Sequence, residues 1–257
     1  MEDLLMGGLL ASYALLLLLD AVKPARRFPA VRGWRLKGLV FFVLYVVTSS
    51  ALPLFWDEHL GRFRLVDATG LGTIGGAVAG FLVLELVLYA WHRALHRVPL
   101  LWRTFHQMHH SAERVDVYGA FYFSPLDMAG FTMVGSLSLV VILGVTAEAA
   151  ILANAVATLL AVVQHANIRT PHWVGYLIQR PEMHAVHHER GVHHHNYADI
   201  ALYDMLFGTF RNPKTWEGVG GFYDGASRRV LDMLLFRDVS VPAEERGDEP
   251  ARASVPG

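Results

Sequence analysis

The sequence predicts an all-α protein: an integral membrane bundle of about four to five helices with a helical cap at one face. Three observations lead there. Of the 257 residues, 53% are apolar, and they come in blocks, whereas a soluble domain would disperse them around one core. Five such blocks can be marked along the chain. The histidines are placed unevenly, with thirteen of the 14 lying after the third block.

The first block, Leu4 to Val22, follows acidic Glu2 and Asp3, and its basic cluster comes after it. A secretory signal has a basic start and a small-residue cleavage site, so this block is expected to be a retained membrane helix. The second and third blocks, Gly38 to Phe55 and Leu71 to Trp91, are also expected to cross, since a hydrocarbon core takes about 20 helical residues. The fourth and fifth, Met128 to Thr146 and Ala149 to Gln164, are slightly shorter and have only Ala147 and Glu148 between them. They read as a tight helical hairpin in a thinned region, or one that does not fully cross. Residues 170–222 are mixed in polarity and suggest short cap helices. From Gly225 to Asp238, apolar residues alternate with Arg228 and Arg229 in the pattern of an interfacial amphipathic helix. Residues 1–240 thus form one membrane-embedded domain. Residues 241–257, rich in Glu, Arg, Pro and Ala, read as a disordered tail.

Charge sets the orientation. Lys23, Arg26, Arg27, Arg32, Arg35 and Lys37 lie between blocks one and two with no acid among them, and Arg93, Arg97, Arg103 and Arg114 follow block three. The positive-inside rule puts these segments, and with them the histidines, on the cytoplasmic side. A net charge of -1 implies no nucleic-acid partner. With 0 cysteines, disulfides, thiolate metal sites and cysteine nucleophiles are excluded.

His92 and His96 are four apart, which on a helix is one face. His106, His109 and His110 repeat helical spacing, and His184, His187 and His188 repeat it again, with His165 closing the fifth block. Neutral imidazole is the commonest transition-metal ligand. A lone pair of histidines at this spacing is more often surface or packing, but two H-x-x-H-H runs plus an H-x-x-x-H point to metal. Nine imidazoles exceed the four that one zinc takes, so two metals are expected. His193 is the expected tenth ligand, chosen from the run His193, His194 and His195. His59 and His172 are isolated and read as structural.

These boxes carry a resemblance. His92-Arg-Ala-Leu-His96, His106-Gln-Met-His109-His110, Gln164-His165-Ala-Asn167 and His184-Ala-Val-His187-His188 are similar to those of the fatty acid hydroxylase and sterol desaturase superfamily. Asn196-Tyr197 and the segment from Tyr203 to Phe210 match it as well, so the resemblance covers about residues 75–212. It implies a cytoplasmic di-iron site, with zinc as a possible substitute, and oxygen-dependent hydroxylation or desaturation of a lipid. The chain carries no recognisable electron-carrier segment, so reductant is expected from a separate donor protein. A bacterial inner membrane is the expected location. Soluble di-iron bundles use Glu with Glu-x-x-His motifs, an arrangement this chain lacks.

Glu85, Tyr89, His92 and His96 form one helical stripe. An acid in a membrane segment usually has a purpose, so Glu85 is a candidate to support a ligand or to serve a structural polar pair. Asp127, Asn167, Asn196 and Asp204 are further supporting candidates, and Tyr118, Phe121, Tyr122 and Phe123 are candidates to line a lipid channel. Gly70-Leu-Gly72-Thr-Ile-Gly75 matches a dinucleotide fingerprint but opens a membrane block with no strand before it. Gly76 and Gly80 instead suit close helix approach. Alternatives of the same class are ether-lipid cleavage by hydroxylation and carotenoid hydroxylation. From another class, a membrane metal-binding or transport protein is possible, although the histidines cluster at one face and do not thread the apolar blocks.

Overall fold

A computed structural model describes residues 2–242; the expected tail beyond residue 242 lies outside the described residues. Among the described residues the chain is helical, with two isolated β-bridges and no strand. Helix α1 spans Glu2–Val22, α2 Trp34–Leu60 and α3 Gly72–Arg97. A short helical arm, α4, covers residues 99–110, with a π-helical turn at Trp102–His106 between Pro99–Leu101 and Gln107–His110. Helix α5 spans Pro125–Ile142 and turns π-helical from Leu137. Helix α6 spans Ala147–His165. The cap holds α7, Pro181–His187, and α8, Ala201–Leu206; α9, Val230–Leu234, follows.

Helices α2, α3, α5 and α6 are long and apolar enough to cross a membrane, and α1 runs for 21 residues. Helices α5 and α6, expected to fall slightly short, reach spanning length at 18 and 19 residues, though α1, α2 and α3 remain longer. Ala147 and Glu148 are not the connection between them. The connection is residues 143–146, where Gly144 takes a positive φ of 51° and the Thr146 hydroxyl accepts a hydrogen bond from Ala149 N–H at 3.3 Å. That N-cap starts α6 at Ala147. The start of α5 is moved in the same way, because the Ser124 side chain caps the Asp127 N–H and Pro125 fits the first turn.

The four spanning helices are not equivalent. In α2 only 6% of the apolar window is buried, against 28% in α3 and in α6. Leu54 and Phe55 of α2 are almost fully exposed, so α2 presents a side chain surface suited to lipid. Helices α3 and α6 pack closely through small residues. A Cβ added at Gly76 would come within 3.0 Å of Ala149 of α6, and one at Gly80 within 3.9 Å of Ala153 of α6 and 2.7 Å of Leu139 of α5. The Gly76/Gly80 reading therefore holds, and the dinucleotide reading does not.

The cap is fixed by polar contacts. Arg180 is fully buried, yet its guanidinium donates to Thr170 O, Asn212 Oδ1 and Pro213 O and pairs with Glu182 at 3.4 Å. A buried charge needs such complete pairing. The amphipathic segment at 225–238 is shorter than expected. Only five residues are α-helical, because Phe236 at φ 58° ends the turn. Met233 docks into a core with Trp34, Met108 and Tyr122, while Leu231 and Leu235 stay exposed.

Candidate metal centre

Four chain segments end at one place. The last two turns of α3 carry His92 and His96, and α4 carries His106, His109 and His110. His165 closes α6, and α7 with its C-cap supplies His184, His187 and His188. The structure gathers these nine side chains into two groups, each with its ligand atoms within 4.8 Å of one another. One group is His92, His96, His106, His110 and His187; the other is His109, His165, His184 and His188.

The grouping differs from the expectation that each box presents one face. Residues four apart share a group: His92 with His96, His106 with His110, and His184 with His188. The middle member of each H-x-x-H-H run crosses to the other group, so His109 joins His184 and His188, and His187 joins His106 and His110. The reason is rotation. Adjacent helical residues differ by about 100°, so neighbours such as His109 and His110 point apart.

Tautomers follow from the hydrogen bonds. A carbonyl oxygen only accepts, so each ring nitrogen facing one must donate. His92 Nδ1 donates to Tyr197 O at 2.8 Å, His165 Nδ1 to Ala161 O at 2.7 Å, and His187 Nδ1 to His195 O at 2.7 Å. His106 Nδ1 donates to Asp127 Oδ2 at 2.7 Å, and His184 Nδ1 pairs with Gln179 Oε1. With the proton on Nδ1, each neutral ring keeps a bare lone pair on Nε2. Those lone pairs point at each other. His92 Nε2 lies 3.0 Å from both His106 Nε2 and His187 Nε2, and His165 Nε2 lies 3.0 Å from His184 Nε2. Two bare lone pairs at that distance repel unless a cation sits between them. Nitrogens each about 2.1 Å from one ion at right angles would be about 3.0 Å apart, against about 3.4 Å in a tetrahedron. The donor set therefore fits transition-metal ions with near-right-angle coordination. His96 Nε2 and His110 Nε2, buried without partners, add two free donors to the first group.

Burial keeps the rings neutral. It pushes His109, His110, His184, His187 and His188 well below the ordinary histidine pKa, and neighbouring imidazoles lower them further. A neutral ring is the ligating form.

His193 stands outside both groups. Its Nδ1 is 3.1 Å from His110 Nδ1, and its ring packs against Trp102 and Phe222. His194 is on the exposed side, bonded to Val192 O at 2.5 Å. The run is nonetheless attached to the centre, because the His195 carbonyl holds His187. His193, His195 and Asn196 all take positive φ, at 43°, 72° and 50°. Left-handed backbone at three non-glycine residues stores strain, and here it lies in the loop that orients His187.

The other supporting candidates act at one remove. Asp204 accepts from Tyr197 N–H and Ala198 N–H at 2.8 and 3.0 Å, fixing the carbonyl that receives His92. Glu85, fully buried on α3, accepts from Asp199 N–H at 2.9 Å and anchors the same loop. Asn196 donates to Met183 O and Arg211 O at 3.0 and 2.9 Å, tying the loop to α7. Asn167 bonds the main chain of Arg26 and the side chain of Asp20, which joins α1 to the end of α6. Gln179 and the carbonyls of Ala161, Tyr197 and His195 were not anticipated. Gln179 lies five residues before His184 with nothing in its spacing to mark it, and a main-chain acceptor leaves no trace in residue identity.

An apolar cavity of about 100 Å³ opens between α2, α3 and α6. His92, His106, His109, His165 and His184 line one end, and Phe121, Phe123, Leu84 and Leu88 line its walls. Of the four aromatic candidates, Phe121 and Phe123 therefore reach the cavity; Tyr122 instead donates to Ser227 O at 2.7 Å in the cap side.

The chain matches the family model for fatty acid hydroxylase over residues 77–209. It is 30% identical over 141 residues to an ornithine lipid hydroxylase from Rhizobium tropici, covering 53% of this chain and 42% of that protein. It is 28% identical over 178 residues to a cholesterol 25-hydroxylase-like protein from Danio rerio, covering 65% of this chain and 67% of that protein. The chain thus spans about two fifths of the first relative and two thirds of the second. No solved structure matches it.

Proposed function

We propose, from the premise that the chain belongs to the fatty acid hydroxylase family, that it is a membrane-bound di-iron oxygenase that hydroxylates or desaturates a membrane lipid. The observation that carries this is the convergence of nine histidines in two groups, five of which line an apolar cavity. The two relatives named above are both lipid or sterol hydroxylases by name, and a lipid chain suits the apolar walls.

On this reading His92, His96, His106, His110 and His187 hold one iron and His109, His165, His184 and His188 the other, with His193 beside the first group. Bound there, the iron pair would supply dioxygen activation, because unactivated C–H bonds do not yield to acid–base groups alone. The chain's own residues do the rest. Asp127, Gln179 and the three carbonyls fix ring orientation and raise ligand basicity. Phe121, Phe123, Leu84 and Leu88 exclude water and hold an alkyl segment beside the histidines. Electrons come from a separate donor protein. Arg93 and Arg97 flank the end of α3 that carries the site, and Lys23, Arg26 and Arg27 follow α1, where Arg26 is bonded to Asn167 beside the end of α6, which supports a cytoplasmic face; a bacterial inner membrane is the proposed location.

The test is a lipid comparison in cells expressing wild type or His109→Ala, with and without labelled dioxygen. The expected result is a lipid gaining one labelled oxygen, or losing two hydrogens, only with wild type. Metal uptake or export without any oxygen-dependent lipid change would favour a transport role instead.

A further inference from the structure

A second cavity, of about 270 Å³, lies outside the histidine centre, lined by the α1–α2 connection and the segment 216–220. Its walls include Arg26, Arg27, Glu113, Trp216 and Glu217. Glu113 is only 3% exposed; Oε1 accepts from Gly225 N–H at 2.8 Å, but Oε2 has no partner. Arg26 Nη1 is likewise buried without a partner. Its guanidinium rests over the Trp216 ring at 5.6 Å, and among the described residues no carboxylate pairs with it, although Glu182 and Asp20 lend it a distant field. Two opposite charges thus line one cavity, and they do not pair with each other: Arg26 donates Nη2 to Ile168 O at 3.4 Å and Lys37, bonded to Ser227 O at 3.3 Å, lends Glu113 a positive field, but Arg26 Nη1 and Glu113 Oε2 each lack a hydrogen-bond partner. An unpaired buried charge is costly, so the arrangement suits a ligand carrying both complementary charges.

The cavity also lies just past the end of α1 and against the centre. Arg26 follows α1 by four residues, and its main chain is bonded to Asn167, two residues past His165. Trp216 donates to Glu189 at 3.0 Å, next to His188, and Gly221 N–H reaches His188 O at 3.3 Å.

We propose that this cavity binds a zwitterionic headgroup with one primary ammonium and one anionic group, the ammonium on Glu113 and the anion on Arg26. The inference rests on the lipid-oxygenase reading for its setting and names the polar end of the ligand. The same chemistry could be presented by an aminolipid or by a free amino compound such as phosphoethanolamine.

Native mass spectrometry of the full-length metal-loaded protein, with phosphatidylethanolamine, phosphatidylglycerol and phosphatidylcholine of one acyl composition, tests it. Wild type should retain phosphatidylethanolamine over the other two by about tenfold, the effect of one charge-assisted hydrogen bond. Glu113→Gln, whose amide oxygen can still accept from Gly225, should abolish that preference, and Arg26→Gln should weaken phosphatidylethanolamine and phosphatidylglycerol alike. Should Glu113→Gln fail to fold, Arg26→Gln decides, since its main-chain bonds to Asn167 remain. Competition by free phosphoethanolamine at equal concentration would assign the site to a soluble amine, and no competition would assign it to the lipid; both keep the zwitterion site. No headgroup preference in wild type, a preference unchanged by Glu113→Gln, or phosphatidylethanolamine binding unchanged by Arg26→Gln, overturns it. Binding is read without turnover. An oxidising enzyme with no preference sinks this inference alone, and a selective binder that never oxidises lipid sinks the oxygenase reading alone.

Discussion

The two histidine groups differ in what stands behind them. The five-histidine group is backed by a carboxylate, with Asp127 on His106, and by the carbonyls of Tyr197 and His195. The four-histidine group is backed only by neutral acceptors, Gln179 on His184 and Ala161 O on His165. A carboxylate behind an imidazole makes it a better donor to a cation. With one more nitrogen and one nearby negative charge, the first group should hold its ion more tightly. The lesson is that one centre built from repeated boxes need not have equivalent halves.

Acid should break both halves and gives the largest effect. His109, His110, His184, His187 and His188 are held well below their ordinary pKa by burial, as is His193 at about 4. Above about pH 6.5 neither folded nor unfolded chain protonates them. Below it the unfolded chain takes up protons first, so stability of the metal-free protein falls as pH drops, for His193 down to about 4. Protons also compete with metal. The four-histidine group should release its ion at the higher pH, as followed by metal retained on the protein after dialysis across a pH series and by the melting temperature of the metal-free form.

His184→Ala should separate the halves next. Its Nε2 faces both His165 and His188 at 3.0 Å, so its loss should empty the four-histidine group and leave the other filled. Lipid oxidation should fall by more than about 100-fold, beyond the 10–100-fold range typical of outer partners. Asp127→Asn comes third. It should weaken the five-histidine group by about 10–100-fold and leave the four-histidine group unchanged, measured by competition with a chelator. The smallest effect is expected from His193→Ala, which should lower affinity in the five-histidine group by less than about tenfold without changing the number of ions bound; loss of an ion would make His193 a full ligand.

The membrane blocks and the nine box histidines were legible in the sequence because hydropathy and helical spacing are local. Helix boundaries were less so: Thr146 and Ser124 cap α6 and α5 through single hydrogen bonds that hydropathy does not register. The division of the histidines was hidden as well. Spacing shows that residues four apart share a side and adjacent ones point apart, but only tertiary placement shows that His109 meets His184 and His188, and His187 meets His106 and His110. Asp127 was named as a supporting candidate, whereas Gln179 and three carbonyls became visible only with the fold. Glu85 was singled out for its place in a membrane helix, and its partner proved to be the main chain of the loop 199–200 and not a histidine.

The most direct measurement is the transition-metal content of wild type purified without chelator, beside His184→Ala and His106→Ala. Two ions per chain in wild type, and one in each variant, is the predicted result, with the surviving ion bound more tightly in His184→Ala. Well-folded wild-type protein that binds no transition metal would contradict the account at its centre.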